Sequence, residues 1–171
     1  MLPLIRGPTG RGDVDSEDAI LRGHTEKGKR MIGWILLGTN DVERAGRFYD
    51  ALLGEIGANR VEEIGNENSI HWRAPSGEVT LGVHVPLDGR PATRGNGSMI
   101  ALAVNDSEEV DALYAKALEL GAKDEGPPGP RGTRERYRGD EVITVVQFYG
   151  AYLRDLDGNK LLFYVRGTGG H

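Results

Sequence analysis

One offset constrains this chain more than any other feature: Ile35 and Ile100, Leu37 and Leu102, Asn40 and Asn105, Asp41 and Asp106, Glu43 and Glu108, and Tyr49 and Tyr114 are all 65 positions apart. Such self-similarity marks a duplicated supersecondary unit that buries its apolar faces against its own repeat. In the first copy an apolar stretch, Ile32 to Thr39, runs into Asn40-Asp41, which can cap a helix. Val42, Ala45, Tyr49, Leu52, Leu53 and Ile56 then fall on one helical stripe. After Gly57 come candidate strands Asn59 to Ile64, Ser69 to Ala74 and Val79 to Val85, the last two joined through Pro75-Ser76-Gly77 as a hairpin. The second copy opens at Met99 to Val104 and continues with a helix, Glu108 to Leu120, that stops at Gly121. Its closing hairpin is Val142 to Arg154, the turn Asp155-Leu156-Asp157-Gly158-Asn159, and Lys160 to Arg166. Lys123 to Glu141, with three prolines and arginines at 131, 134, 136 and 138, reads as a long polar loop. Each unit is βαβββ, and two of them predict an α+β fold of two tandem modules whose curved sheets leave a cleft for a small ligand.

The boundaries follow: a polar extension over 1–30, module one over 31–86, a Gly- and Pro-rich linker over 87–97, module two over 98–166, and a tail over 167–171. At 171 residues the chain is near the size of one domain. Its net charge of −5 is spread along the sequence and provides no basic face for a phosphate backbone, so nucleic acid is not expected as a partner. The lack of cysteine removes disulfides, thiolate metal sites and thiol nucleophiles. No run approaches a membrane span or a secretory signal, so the expectation is a cytoplasmic protein without a membrane partner. Arg11-Gly12-Asp13, an adhesion tripeptide elsewhere, and Asn96-Gly97-Ser98, a glycosylation acceptor elsewhere, then read as a polar loop and a linker.

Several segments together resemble the vicinal oxygen chelate superfamily of glyoxalase I, extradiol dioxygenases, fosfomycin-modifying enzymes and bleomycin-binding resistance proteins. They are Met31-Ile32-Gly33-Trp34 ahead of Asn40-Asp41, the helix Arg47-Phe48-Tyr49-Asp50-Ala51-Leu52-Leu53, Asp88-Gly89-Arg90-Pro91-Ala92 with Gly95-Asn96-Gly97-Ser98, and the run from Tyr149 to Lys160. The closing turn is its most specific piece, with Leu156 standing where that family usually has proline. The resemblance implies a divalent metal held by His and Glu, chelated by two adjacent oxygens of the substrate. It places those ligands at Trp34, near Gly82, at Met99 and at Leu162, none of which offers a hard donor side chain. The expectation is therefore a protein with no cofactor and no metal, whose cleft binds a small organic molecule through Trp34, Trp72, His84, Met99, Tyr149, Leu162 and Tyr164. A divalent metal held by other residues, such as His84 and Gln147, is the alternative, and would make the protein a divergent lyase or dioxygenase. A third reading is a non-catalytic interaction module using the arginine-rich insert and the extension. The resemblance, and the general frequency of twofold pairs, also point to a homodimer.

Other features have ordinary explanations beside functional ones. If Ala74 pairs with Glu78 across the hairpin, His71 and His84 point to opposite faces, and His84 enters the cleft with Trp72 and Thr80 beside it. Tyr149, Tyr152 and Tyr164 are either packing residues or phenolic donors, and the arginines of 131 to 138 are either a solvated loop or a clamp for an anion. The alternating carboxylates of Asp155 to Asn159 are accounted for by turn chemistry without calcium.

Overall fold

The structure, a computed structural model, describes residues 32–77 and 79–166. The extension, Met31, the Arg11-Gly12-Asp13 tripeptide and the tail lie outside the described residues. Each repeat builds the same four-stranded sheet. In the first, β1 (Trp34–Gly38), β2 (Asn59–Arg60), β3 (Ser69–Arg73) and β4 (Thr80–His84) lie in the order β1-β4-β3-β2. In the second, β5 (Ile100–Ala103), β6 (Lys123–Arg138), β7 (Glu141–Arg154) and β8 (Lys160–Arg166) lie in the order β5-β8-β7-β6. The first strand of each unit pairs in parallel with its last, β1 with β4 and β5 with β8, and the other pairings are antiparallel. The duplicated α+β architecture is thus present strand for strand. The stretch expected as one strand from Asn59 to Ile64 is shorter, two strand residues and then a 3-10 turn over Glu62–Ile64.

One helix crosses each unit, α1 (Val42–Gly54) and α2 (Ser107–Glu119). The repeated aspartates cap them identically: Asp41 accepts from the Arg44 N–H and Asp106 from the Glu109 N–H, both at 2.8 Å. Such caps satisfy a free helix N–H and contribute about 1 kcal/mol each. Both helices then turn out through glycines with positive φ, Gly57 and Gly121, after which Ala58 and Ala122 bond back to Leu53 and Ala117. The apolar stripe of α1 (Phe48, Tyr49, Leu52, Leu53) and that of α2 (Val110, Leu113, Ala117) belong to one continuous core. Ile70, Trp72, Leu81 and Val83 join it from the first sheet, and Leu153, Leu161 and Phe163 from the second. Burying one such side chain stabilises by roughly 1.5–3 kcal/mol.

The segment expected as a loop is not one. Residues 123–154 form a single long hairpin that turns at Gly139-Asp140, β6 and β7 pairing from Lys123↔Arg154 to Arg138↔Glu141. The prolines mislead because Pro127 and Pro128 sit where the register shifts, between Asp124 and Gly129, while Pro130, paired with Tyr149, and the residues beyond it pair regularly.

Candidate functional site

The strand registers decide which side chains share a face. In the first sheet Trp34 is opposite Thr80, Leu36 opposite Gly82, His71 opposite Gly82 and Ser69 opposite His84. Trp34, Leu36, Gly82, His71 and His84 therefore project from the face turned away from the helices. The opposite-face expectation for the two histidines is corrected: Arg73 pairs with Thr80, not Ala74 with Glu78, and a one-residue slip moves every side chain of a strand to the other face. The same slip corrects the position of Trp72. Its indole is buried on the helix side, away from His84, and its N–H donates to Asp50 Oδ1 at 2.8 Å. Arg60 grips the same carboxylate with two bonds of 2.8 and 2.7 Å. The Arg60 hydrogen bond holds the Asp50 carboxyl below its ordinary range, against the opposing effect of burial, and Trp72 adds to the lowering.

His71 lies over Gly82. A Cβ at position 82 would stand 2.6 Å from its Nδ1 and 2.8 Å from Leu36 Cδ2, so only glycine leaves room for the ring. That Nδ1 is buried without a hydrogen-bond partner. Burial, and then the neighbouring His84, hold the His71 imidazole below the usual histidine value. His84 has its Nδ1 3.1 Å from the Val85 carbonyl, which suits a ring protonated there with Nε2 free to accept.

In the second sheet Met99 immediately precedes β5, while Leu162 and Tyr164 sit opposite Ala101 and Ala103, all on the face away from α2. Tyr164 stacks edge-on against Phe148 at 6.0 Å. Tyr149 is on the other side: it pairs with Val165, and its hydroxyl donates to Asp111 of α2 at 3.0 Å. Its expected place in the cleft is corrected, because alternation along β7 presents Phe148, Gly150 and Tyr152 to the open face instead. Tyr152 lies between Lys160 and Arg131, whose charged ends stand 5.2 and 5.8 Å from its ring centre. Arg131 donates to the carbonyls of Pro127 and Pro130, so it ties the hairpin to itself; the side chains of residues 134, 136 and 138 lie outside the described ones.

Trp34 and His84 thus share one open face, and Met99, Leu162 and Tyr164 share the other. A cavity of about 430 Å³ lies between the modules, at the edge strands β1 and β5. Ile35, Leu53, Ile56, Trp72 and Leu81 wall it from module one, and residues 100–103 from module two. Sequence reasoning placed Trp72 beside His84 in an open cleft rather than at this cavity, and missed the other walls. The signal for them was in the repeat: Ile35 and Ile100, related by the 65-residue offset, face the same cavity from the two edge strands.

The turn between β7 and β8 joins the modules. Asp155 accepts from the Tyr49 hydroxyl (2.8 Å), from the backbone of Asp157 and Asn159, and from the Asn159 amide. Asp157 accepts from the Thr39 hydroxyl (2.7 Å), the Asn40 backbone (3.1 Å) and Arg44 (2.9 Å), and Asn159 donates to the Gly38 carbonyl (3.0 Å). The alternating carboxylates are therefore spent on turn geometry and on gripping β1 and α1. Among the described residues no three His, Asp or Glu side chains converge as a metal site, and no helix is long and apolar enough to cross a membrane.

Two βαβββ modules sharing one core, closed by an Asp-x-Asp-Gly-Asn turn, define a recognisable class of protein. Residues 31–163 match the family model of the Glyoxalase/Bleomycin resistance protein/Dioxygenase superfamily, and the chain belongs to that superfamily. Within it, the chain is similar to a glyoxalase/bleomycin resistance protein from Albidiferax ferrireducens T118. The two share 36% identity over 80% of this chain and 99% of that one, with a TM-score of 0.64. It is also similar to the hypothetical protein SA1046 from S. aureus, at 27% identity over 80% and 96% of the two chains, TM-score 0.53. The fosfomycin resistance protein FosX from Mesorhizobium loti shares the fold at 15% identity over 83% and 96%, TM-score 0.54. No curated protein matches the chain.

The metal that the resemblance implies has no suitable donors at its four positions. Trp34 presents an indole, Met99 a thioether, Leu162 an alkyl group and Gly82 no side chain, and the space at position 82 is taken by the His71 ring. These groups do not fit a hard divalent ion.

Proposed function

We propose that this protein binds a small, largely apolar organic molecule in the cavity between its modules, without the metal used for chelate chemistry in the family it resembles. The observation that carries the proposal is the cavity itself: about 430 Å³, walled by aliphatic side chains and one indole held in place through Asp50 and Arg60. Ligand pockets fall in this size range and are lined mostly by hydrophobic groups with a few fixed polar ones. An aromatic or branched aliphatic ligand fits such walls, with Trp72 as the stacking surface.

The two tryptophans separate this site from the open face that carries Trp34. A panel of small aromatic compounds is titrated while emission is followed in Trp34→Phe and in Trp72→Phe. Saturable quenching that survives Trp34→Phe and disappears in Trp72→Phe places the ligand in the cavity. Quenching carried by Trp34 alone moves the site to the open face and refutes the cavity reading. Calorimetric titration with Zn, Ni, Mn and Fe(II) tests the metal-free part: a stoichiometric, tight site would overturn it and return lyase and dioxygenase chemistry to first place.

A further inference from the structure

The two edges of each sheet differ in how they are protected. An unpaired edge recruits another chain unless shortness, charge, proline or a bulge discourages it. In the first sheet β2 is short, only Asn59 and Arg60. In the second, β6 carries prolines, charged residues along its length and register shifts. The opposite edges have no such guard. β1 reads Trp-Ile-Leu-Leu-Gly and β5 Ile-Ala-Leu-Ala, without charge, proline or bulge.

Both unguarded edges border the cavity between the modules, and along β5 all four residues, Ile100 to Ala103, line it. Successive side chains point to opposite faces of a sheet, so a wall made of consecutive residues is the main-chain edge of the strand and not one of its faces. The ladder tells which groups lie on that edge. The Val104 N–H donates to the Tyr164 carbonyl at 3.0 Å, so Leu102 and Ile100, in step with it, also turn their main chain to β8. The N–H and C=O of Ala101 and Ala103 therefore point off the edge, and among the described residues nothing pairs with them. Along β1 the same alternation sends the main chain of Trp34, Leu36 and Gly38 outward, and the Gly38 carbonyl accordingly accepts from Asn159 of the second module. The two edges do not pair with each other. No Cα of β1 lies within 8 Å of a Cα of β5, whereas paired strands stand about 4.8 Å apart.

We propose that the ligand of this cavity is a short extended peptide, added as a strand to the edge of β5. The inference rests on the cavity reading above and names the class of ligand. β5 spans about 13 Å at about 3.3 Å per residue, which sets a length of about three or four residues. The peptide main chain exchanges hydrogen bonds with Ala101 and Ala103, and every second side chain points to the helix side, toward Leu53, Ile56, Trp72 and Leu81. Those alternate positions are apolar in a ligand that fits. The residue between them faces the open side, where Ala101 and Ala103 are small and exposed. A compound without a peptide backbone fills the apolar floor but leaves the edge groups unpaired.

The probe is acetyl-Leu-Ala-Leu-methylamide, titrated against Trp34→Phe, in which Trp72 is the remaining tryptophan. Saturable quenching is expected. In the complex the Ala101 and Ala103 amide protons should exchange with deuterium about tenfold or more slowly than in the free protein, read by NMR. N-methylation of each peptide amide in turn should weaken binding by about tenfold at those that meet β5. Ala101→Pro removes the edge donor from the protein side. It should weaken the peptide by a similar factor and leave the small aromatic compounds unaffected. If this variant fails to fold, the N-methyl series and the amide exchange make the same test on the unaltered edge. Aromatic compounds that bind where the peptide does not overturn strand addition and leave the cavity reading standing; binding of neither overturns both. A peptide that binds without slowing exchange at Ala101 and Ala103, or that tolerates N-methylation at every amide, also overturns strand addition.

Discussion

Replacing Tyr49 by Phe removes one oxygen atom from the most buried polar contact between the modules. Tyr49 is fully buried on α1, and its hydroxyl donates to Asp155 Oδ2 at 2.8 Å across 106 residues of sequence. A hydrogen bond to a charged group contributes about 1.5–3 kcal/mol. Asp155 Oδ2 still accepts from the Asn159 amide at 2.8 Å, so the substitution leaves no orphaned carboxylate oxygen, and the loss belongs in the lower half of that range, about 2 kcal/mol. For a domain of this size that is a fall in Tm of about 8 °C. Urea unfolding is the assay, with an unchanged m-value as the sign that the native fold is intact. A second readout follows from pH. Burial, and then the charge of Asp155, push the Tyr49 phenol well above 10. Because the folded-state value is the higher one, this contribution is whole below pH 10 and is lost as pH rises further, where the unfolded chain ionises first, at up to about 1.4 kcal/mol per pH unit. Wild type minus Tyr49→Phe isolates that slope from the other tyrosines. A variant within 0.5 kcal/mol of wild type at pH 7, with the same alkaline slope, would refute the role given to this contact.

Other outcomes follow from the same geometry. Asp157→Ala removes the acceptor for Thr39, Asn40 and Arg44; it should destabilise by about 2–4 kcal/mol, measured by urea unfolding. Gly82→Ala puts a Cβ into the His71 ring and should cost about 1–3 kcal/mol. Adding His71→Ala should recover most of that loss, and additive effects in the double-mutant cycle would disprove the contact. By NMR the His71 ring should titrate below 6.5, and His84→Ala should move its midpoint upward. Its folded-state value is the lower one, so its contribution to stability is complete above pH 6.5 and is lost as pH falls through the folded midpoint; a midpoint at or above 6.5 contradicts the burial of the ring.

The fold was legible in the sequence because duplication writes each feature twice. Asp41 and Asp106 cap their helices with the same geometry, and β1–β4 repeats as β5–β8. Faces within the hairpins were less legible, since they depend on registers that periodicity alone does not set. One residue separated the expected pairing of Ala74 with Glu78 from the observed Arg73 with Thr80, enough to put Trp72 on the helix side and both histidines on the open face. The long hairpin was hidden for a different reason. Prolines and glycines at 126–132 read as a loop, and what lies beyond them is a ribbon with a mostly charged strand, 133–138, paired to a mostly apolar one, 142–148, so neither shows the alternation that marks a half-buried strand. The joining role of Asp155, Asp157 and Asn159 was invisible because local turn chemistry already explained those residues, and nothing in their spacing reports a partner more than 100 positions away.

The crowding at position 82 bears on the chemistry as well as on stability. A glutamate there, as the resemblance would have it, has to displace the His71 ring and Leu36 before its carboxylate can reach the open face. Restoring the missing donors one at a time is therefore not expected to restore a metal site. Trp34→His alone adds an imidazole to the face that already carries His71 and His84 but no carboxylate, and Gly82→Glu alone introduces a clash. Trp34→His and Gly82→Glu supply two new donors, and His71→Ala with Leu36→Ala clears the two contacts a side chain at 82 would meet, so a measurable gain in Zn or Ni affinity by calorimetry is expected only in that quadruple variant. Equal affinity in Trp34→His and in the quadruple variant would show that crowding by His71 and Leu36 is not what closes position 82, and that the apolar face is set by some other constraint.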